Sequence, residues 1–285
     1  MCGKTLLVET LAKIADVPVS INSATSLTES GYVGEDVEKV LSRLLIDADM
    51  DVDRAEFGIV YIDEIDKIAR KSGENTSITR DVGGEGVQQA LLKMIDGAVI
   101  DVPMDGSRKH PYEQCIPVDT SNILFIVSGA FEGINNIKPK RIEKSIGFQI
   151  EDNKQLKVDK GKGKTNIATD DIINYGLIKE LVGRLPIIAN VEQLTIDALK
   201  RILTEPENAI IPQYKRLLEK SNVELDFTDE ALTEIASKAY ERGTGARGLK
   251  SIVEKALEDL VFGLRTFKHK KTVIIEVADV KNVAA

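Results

Sequence analysis

The stretch Ile59-Val60-Tyr61-Ile62-Asp63-Glu64 constrains this chain more than any other. Four consecutive apolar residues do not alternate between core and solvent, so they read as a buried strand of a parallel sheet covered by helices. Two adjacent carboxylates then fall at the strand's C-terminal end, the edge at which open α/β sheets hold ligands. There Asp63 can orient a divalent cation and Glu64 can polarise a water. The plainer alternative is a buried strand followed by a solvated acidic turn, and the strand alone does not choose between them.

A second element bears on that choice. Gly3-Lys4-Thr5 precedes the apolar positions Leu6, Leu7, Leu11 and Ile14, as the end of a phosphate loop precedes its helix. Backbone N–H groups and the helix dipole would hold phosphate, with Lys4 on the terminal phosphate oxygens and the Thr5 hydroxyl on Mg²⁺ beside Asp63. The separation from the acidic strand leaves room for one strand and one helix. The full loop needs a first glycine and four more residues before Gly3, whereas only Met1 and Cys2 stand there, so half the loop is expected to be lacking.

At 285 residues the chain is long enough for two domains. With 29% charged residues and a net charge of −8, no general attraction to nucleic acid or an anionic membrane is expected. No apolar run approaches the roughly 20 residues that span a bilayer, and the N-terminus lacks the layout of a signal peptide, so a cytoplasmic location is expected. Cys2, Cys115, His110 and His269 show neither metal-ligand spacing nor a disulfide framework.

Strand and helix patterns alternate through the first part. Val17 to Ile21, Gly58 to Ile62 and Asn122 to Val127 read as strands; Glu35 to Asp47 and Gly84 to Ile95 read as helices. Gln149 to Thr169, dense in Lys, Asp and Gly, reads as a surface loop. Beyond Arg184-Leu185-Pro186 the pattern becomes mainly helical: Thr195 to Leu203, Glu207 to Glu219 and Asp229 to Arg242, the last capped by Thr228. Val223 to Phe227 and Thr272 to Val277 read as short strands. The expected fold is α/β: a P-loop ATPase large domain over residues 1–189, then a smaller, mainly α-helical domain over 190–285.

In order, these pieces resemble the ClpX family of AAA+ unfoldases, ATPase partners of the ClpP peptidase, from mid phosphate loop almost to the C-terminus. Gly31-Tyr32-Val33-Gly34 resembles the pore loop with which that family grips a translocating polypeptide. Its tyrosine is a rigid amphipathic contact and its glycines are pivots. Gly106-Ser107-Arg108-Lys109-His110-Pro111 is similar to the pore-entrance loop, and Ser72 to Asp81 falls where the family has a second pore loop. Taken singly, each reads equally as a solvated turn. Glu180 to Pro186 resembles the arginine-finger segment, so the resemblance gives Arg184 the role of reaching a neighbouring subunit's nucleotide. Gly245-Ala246-Arg247-Gly248-Leu249 resembles the sensor-2 element, with Arg247 on the nucleotide. Ser128 takes the polar sensor position, and Ile146-Gly147-Phe148 matches the peptidase-docking loop. The sister unfoldase HslU inserts a large domain after the acidic strand, for which Ile65 to Ser121 leaves no room.

The resemblance implies a ring of six subunits that hydrolyses ATP with Mg²⁺ and threads protein substrates into ClpP. The alternative is a non-hydrolytic AAA+ scaffold with a damaged phosphate loop. It also implies a strand ahead of Gly3 inside the sheet. On that ground the chain alone is expected to have a loosened large domain and no ATPase activity, while the region from about Asn190 keeps its own core.

Overall fold

The computed structural model describes residues 3–28, 35–69, 84–103, 115–134, 167–263 and 271–281. The chain divides into two compact units, Thr5–Asn190 and a second built on Val191–Ala285, with which residues 1–4 are grouped.

In the first unit, helix α1 (Lys4–Ala15) leads to β1 (Val19–Ser23), and a short parallel pairing joins β2 (Leu27–Thr28) to β3 (Glu35–Asp36). Helices α2 (Lys39–Asp47) and α3 (Val52–Ala55) precede β4 (Ile59–Asp63), the acidic-ended strand, which a 3₁₀ turn follows at Ile65–Ile68. Helix α4 (Gly84–Ile95), an antiparallel pair β5 (Val99–Pro103) and β6 (Cys115–Asp119), and β7 (Leu124–Val127) come next. Two short helices, α5 (Thr169–Tyr175) and α6 (Lys179–Arg184), complete the unit.

The central sheet has the order β1-β4-β7, all parallel, with Val19 opposite Ile59 and Ile59 opposite Leu124. The middle strand is buried on both faces, as its unbroken apolar run requires. Ile59 and Tyr61 pack with Val8 and Ala12 of α1, whereas Val60 and Ile62 join the main core with Leu41, Leu44 and Leu91. Four of its five residues are buried, and only Asp63 is partly exposed.

Several boundaries differ from expectation. The helix expected from Glu35 begins at Lys39, because Glu35 and Asp36 are taken by the pairing with Leu27 and Thr28. The strand expected at Val17 starts at Val19, whose N–H is held by the Asp47 carboxylate at 2.8 Å. On α1 the residues that meet the sheet are Val8 and Ala12, while Leu6, Leu7, Leu11 and Ile14 are exposed. The apolar residues of that helix spread over about half its circumference, and only the edge carrying Val8 and Ala12 meets the sheet. The antiparallel pair β5–β6 went unread.

The second unit has its own core, with Leu199, Leu203, Leu225, Ile235, Leu249, Ile252 and Val253 fully or nearly fully buried. Helices α7 (Ile196–Thr204), α8 (Ile210–Glu219), α9 (Asp229–Glu241) and α10 (Ala246–Ala256) surround a parallel pair, β8 (Val223–Phe227) with β9 (Lys271–Ile275). The Thr228 hydroxyl accepts the Ala231 N–H at 3.2 Å, the expected cap.

Candidate functional site

Parallel strands align their C-terminal ends, so β1, β4 and β7 bring Ser23, Asp63 and Ser128 to one edge. Asp63 stands opposite Ser23, and Ser128 is the residue after β7. The Ser128 hydroxyl donates to Asp63 Oδ1 at 2.5 Å, and the Glu64 N–H donates to the same oxygen at 2.9 Å. Because the Ser128 proton is used on Asp63, the contact of 2.7 Å between Ser128 Oγ and Tyr61 Oη has the phenol as donor. Tyr61, Ser128 and Asp63 thus form a directed chain that ends on one carboxylate oxygen. Among the described residues, Asp63 Oδ2 and the Thr5 hydroxyl meet no partner.

The sheet ends at Glu64, which adopts the left-handed conformation (φ 60°, ψ 33°), rare for a residue with a side chain. Its exposed carboxylate is tethered across the strand ends: Ser23 Oγ donates to Glu64 Oε2 at 3.1 Å, and Thr25 Oγ1 reaches it at 3.4 Å. Sequence reasoning missed both hydroxyls. Their relevance depends on the parallel register of β1 with β4, which neither segment encodes by itself.

Behind this edge Asp66 is buried, and its Oδ1 accepts the Ala130 N–H at 3.0 Å. Its Oδ2 has no hydrogen bond and lies 3.6 Å from Lys67 Nζ, within ion-pair reach only. Gly129 is required here: a Cβ would sit 2.7 Å from Asp66 Oδ1 and 2.8 Å from the Phe131 ring. Phe131 meets Tyr175 edge to face at 5.2 Å. Burial, with the Asp66 charge, pushes the Tyr175 phenol up, against a smaller opposite pull from Lys67.

Arg184 ends α6 and pairs through Nε with Asp96 Oδ1 at 2.6 Å. Both groups are substantially exposed, and such a pair contributes about 1 kcal/mol or less, so Arg184 can be drawn to another anion at little cost. Gly3 has φ +72° and open space where a side chain would stand, and Lys4 begins α1. In the second unit Arg247 is exposed in the first turn of α10, behind Gly245 (φ 57°), and Gly248 packs so close to Thr244 that a Cβ would collide with it.

The structure therefore brings Asp63, Glu64 and Ser128 together. Tyr32 and Val33, Arg108, Lys109 and His110, and Ile146, Gly147 and Phe148 lie outside the described residues, as do residues 72–81 and most of the Lys-, Asp- and Gly-rich stretch. Among the described residues no helix is long and apolar enough to cross a membrane, and no group of three His, Cys, Asp or Glu could hold a metal.

Residues 1–188 match the AAA domain (Cdc48 subfamily), and residues 194–275 match the C-terminal, D2-small domain of ClpB protein. The chain is 51% identical over 274 residues to the ATP-dependent Clp protease ATP-binding subunit ClpX of Treponema denticola. That alignment covers 96% of this chain and 66% of the relative, so the chain spans just under two thirds of that protein's length. The first match spans the unit that holds the acidic strand and the second lies within the other unit, and the chain belongs to the AAA family, in its ClpX group.

Proposed function

We propose that this chain is the ATPase subunit of a protein-unfolding ring, binding ATP and Mg²⁺ and delivering polypeptide to a ClpP-type peptidase. The observation that carries this is the edge formed by Asp63, Glu64 and Ser128, in a chain half identical to a protein named as an ATP-binding Clp protease subunit. Asp63 keeps one oxygen open while two donors fix the other, and the Thr5 hydroxyl is also open. Two hard oxygen donors suit Mg²⁺, which takes few protein ligands and completes its shell with water and phosphate. When bound, ATP supplies the phosphoanhydride bond and Mg²⁺ offsets charge on its oxygens.

The residues of the chain do the rest. Lys4 and the backbone at Gly3 hold phosphate oxygens. Glu64 accepts hydrogen bonding from a water and draws off its proton during attack, while Ser23 and Thr25 fix the carboxylate until that water arrives. Arg184 leaves Asp96 for the nucleotide of a neighbouring subunit, which makes the site complete only in a ring, six-membered in this reading. Arg247 contacts nucleotide from the second unit. Tyr32 and Val33 grip substrate, Arg108, Lys109 and His110 attract its tail, and Ile146, Gly147 and Phe148 dock the peptidase. The domain division near residue 190 and a cytoplasmic location belong to the same reading. A non-hydrolytic scaffold is not favoured by an exposed carboxylate held beside an open cation ligand.

The test is Glu64→Gln in protein that carries a complete phosphate loop. It should bind ATP and hydrolyse it at least about a hundredfold more slowly, because the water loses its proton acceptor. Tyr32→Ala should instead keep hydrolysis within a few-fold and lose unfolding of a stable tagged substrate. Unchanged turnover in Glu64→Gln would remove this carboxylate from the chemistry.

A further inference from the structure

We infer that Gln88 is a positioning residue for the reaction, tying the turn behind Glu64 to the helix that presents Arg184. The inference rests on the roles proposed for those two residues. Gln88 is fully buried in α4, and both ends of its amide are used. Its Nε2 donates to the Ile68 carbonyl at 2.8 Å, and its Oε1 accepts the Ile178 N–H at 2.8 Å. Ile68 closes the 3₁₀ turn that Glu64 opens, and Ile178 is the residue from which α6 starts.

The N-cap residue Ile178 makes no side-chain cap, and its N–H is taken instead by Gln88. At the other end Asp96, which directly follows α4, pairs with Arg184 only at rest. On the opposite side, a Cβ at Gly84 would lie 2.7 Å from the Ile68 oxygen, so the start of α4 is already packed against that carbonyl. A shift of the turn behind Glu64 therefore moves α4, and α4 moves the start of the helix that carries Arg184. A carboxamide offers donor and acceptor together in one plane without ionising, and asparagine is one methylene too short for this span.

The experiment uses assembled protein that carries a complete phosphate loop, with three variants: Gln88→Met, Gln88→Glu and Arg184→Ala. Gln88→Met should lower kcat for ATP hydrolysis about tenfold with KM changed less than about twofold, since the loss falls on orientation in the transition state. In the Arg184→Ala background the same change should cost less than about twofold, because the group it positions is gone. Hydrogen exchange at the Ile178 amide should accelerate in Gln88→Met.

Gln88→Glu supplies a readout that a merely structural role would not move. The ionised carboxylate can accept from Ile178 but cannot donate to Ile68; the protonated form does both. Burial raises the pKa of such a carboxyl, so the ratio of its kcat to that of the parent should rise as pH falls from 8.5 to 6. Taking the ratio cancels titrations that both proteins share.

Full kcat in Gln88→Met, an undiminished effect in the Arg184→Ala background, or a flat pH ratio would each overturn the inference. If Gln88→Met does not fold, the pH ratio decides. Unchanged hydrolysis in Arg184→Ala would instead overturn the role of Arg184, a different failure from an impaired Arg184→Ala beside an intact Gln88→Met.

Discussion

Replacing Ser128 by alanine deletes one hydroxyl that serves two partners, and the consequences differ in kind. Tyr61 is 1% exposed and its phenol donates only to Ser128, so the change strands a buried donor, at about 1–3 kcal/mol. Asp63 loses a charge-assisted bond of 2.5 Å, but it is partly exposed and keeps the Glu64 N–H, so water makes good part of that loss. The total should be about 2–4 kcal/mol. Tyr61→Phe in the parent removes the other end of the chain and leaves Ser128 bound to Asp63, costing about 0.5–1.5 kcal/mol. Placed on Ser128→Ala, however, Tyr61→Phe removes the stranded donor and should stabilise by about 1 kcal/mol. The sign of that step is the test. It is read from urea-dependent amide exchange of Tyr61 and Ile62, whose strand lies in the middle of the sheet, in the parent, both single variants and the double. A double variant less stable than Ser128→Ala would show that the phenol finds another partner and that the directed chain is wrong.

Gly129→Ala should cost about 1–3 kcal/mol and perturb the Phe131 and Tyr175 rings, because its Cβ has no space between Asp66 and Phe131; an unchanged melting temperature would contradict this. Tyr214 donates to Glu254 at 2.8 Å, and burial followed by that bond pushes its phenol up to about 12. A folded pKa above the unfolded value near 10 gives stability that is full below about pH 10 and is lost as pH rises through about 12. In a phenolate absorbance titration Tyr214 should therefore ionise late, alongside the raised Tyr175, and Tyr214→Phe should remove one late step. Arg184→Ala should lower hydrolysis, and mixing it with Glu64→Gln should restore part of it, because each subunit supplies what its neighbour lacks; mixed rings without rescue would place Arg184 in cis.

The elements legible in the sequence were those whose cause is local. The unbroken apolar run of β4 announced burial on two faces, α4 begins and ends where its spacing placed it, and Thr228 caps α9 as its type suggests. What was not legible depends on register or on a distant partner. Gln88 and Gln89 look alike in the sequence, yet only the first is buried, because Ile68 and Ile178 converge on it from segments far apart. Ser23 and Thr25 read as polar residues at a strand end, and only pairing with β4 sets them against Glu64. The resting partner of Arg184 likewise came from a distant segment, the residue after α4.

The parallel register of the central sheet has a consequence for synthesis on the ribosome. Val19 must find Ile59, and Ile59 must find Leu124, with no hairpin to bring either pair together. Strand β1 therefore waits for this partner until the acidic strand has left the exit tunnel, and the acidic strand waits longer for its second neighbour. Loops of that length close slowly, and an apolar strand in waiting is a template for association with other nascent chains. This chain thus spends the early part of its own life as the kind of polypeptide that holding chaperones bind.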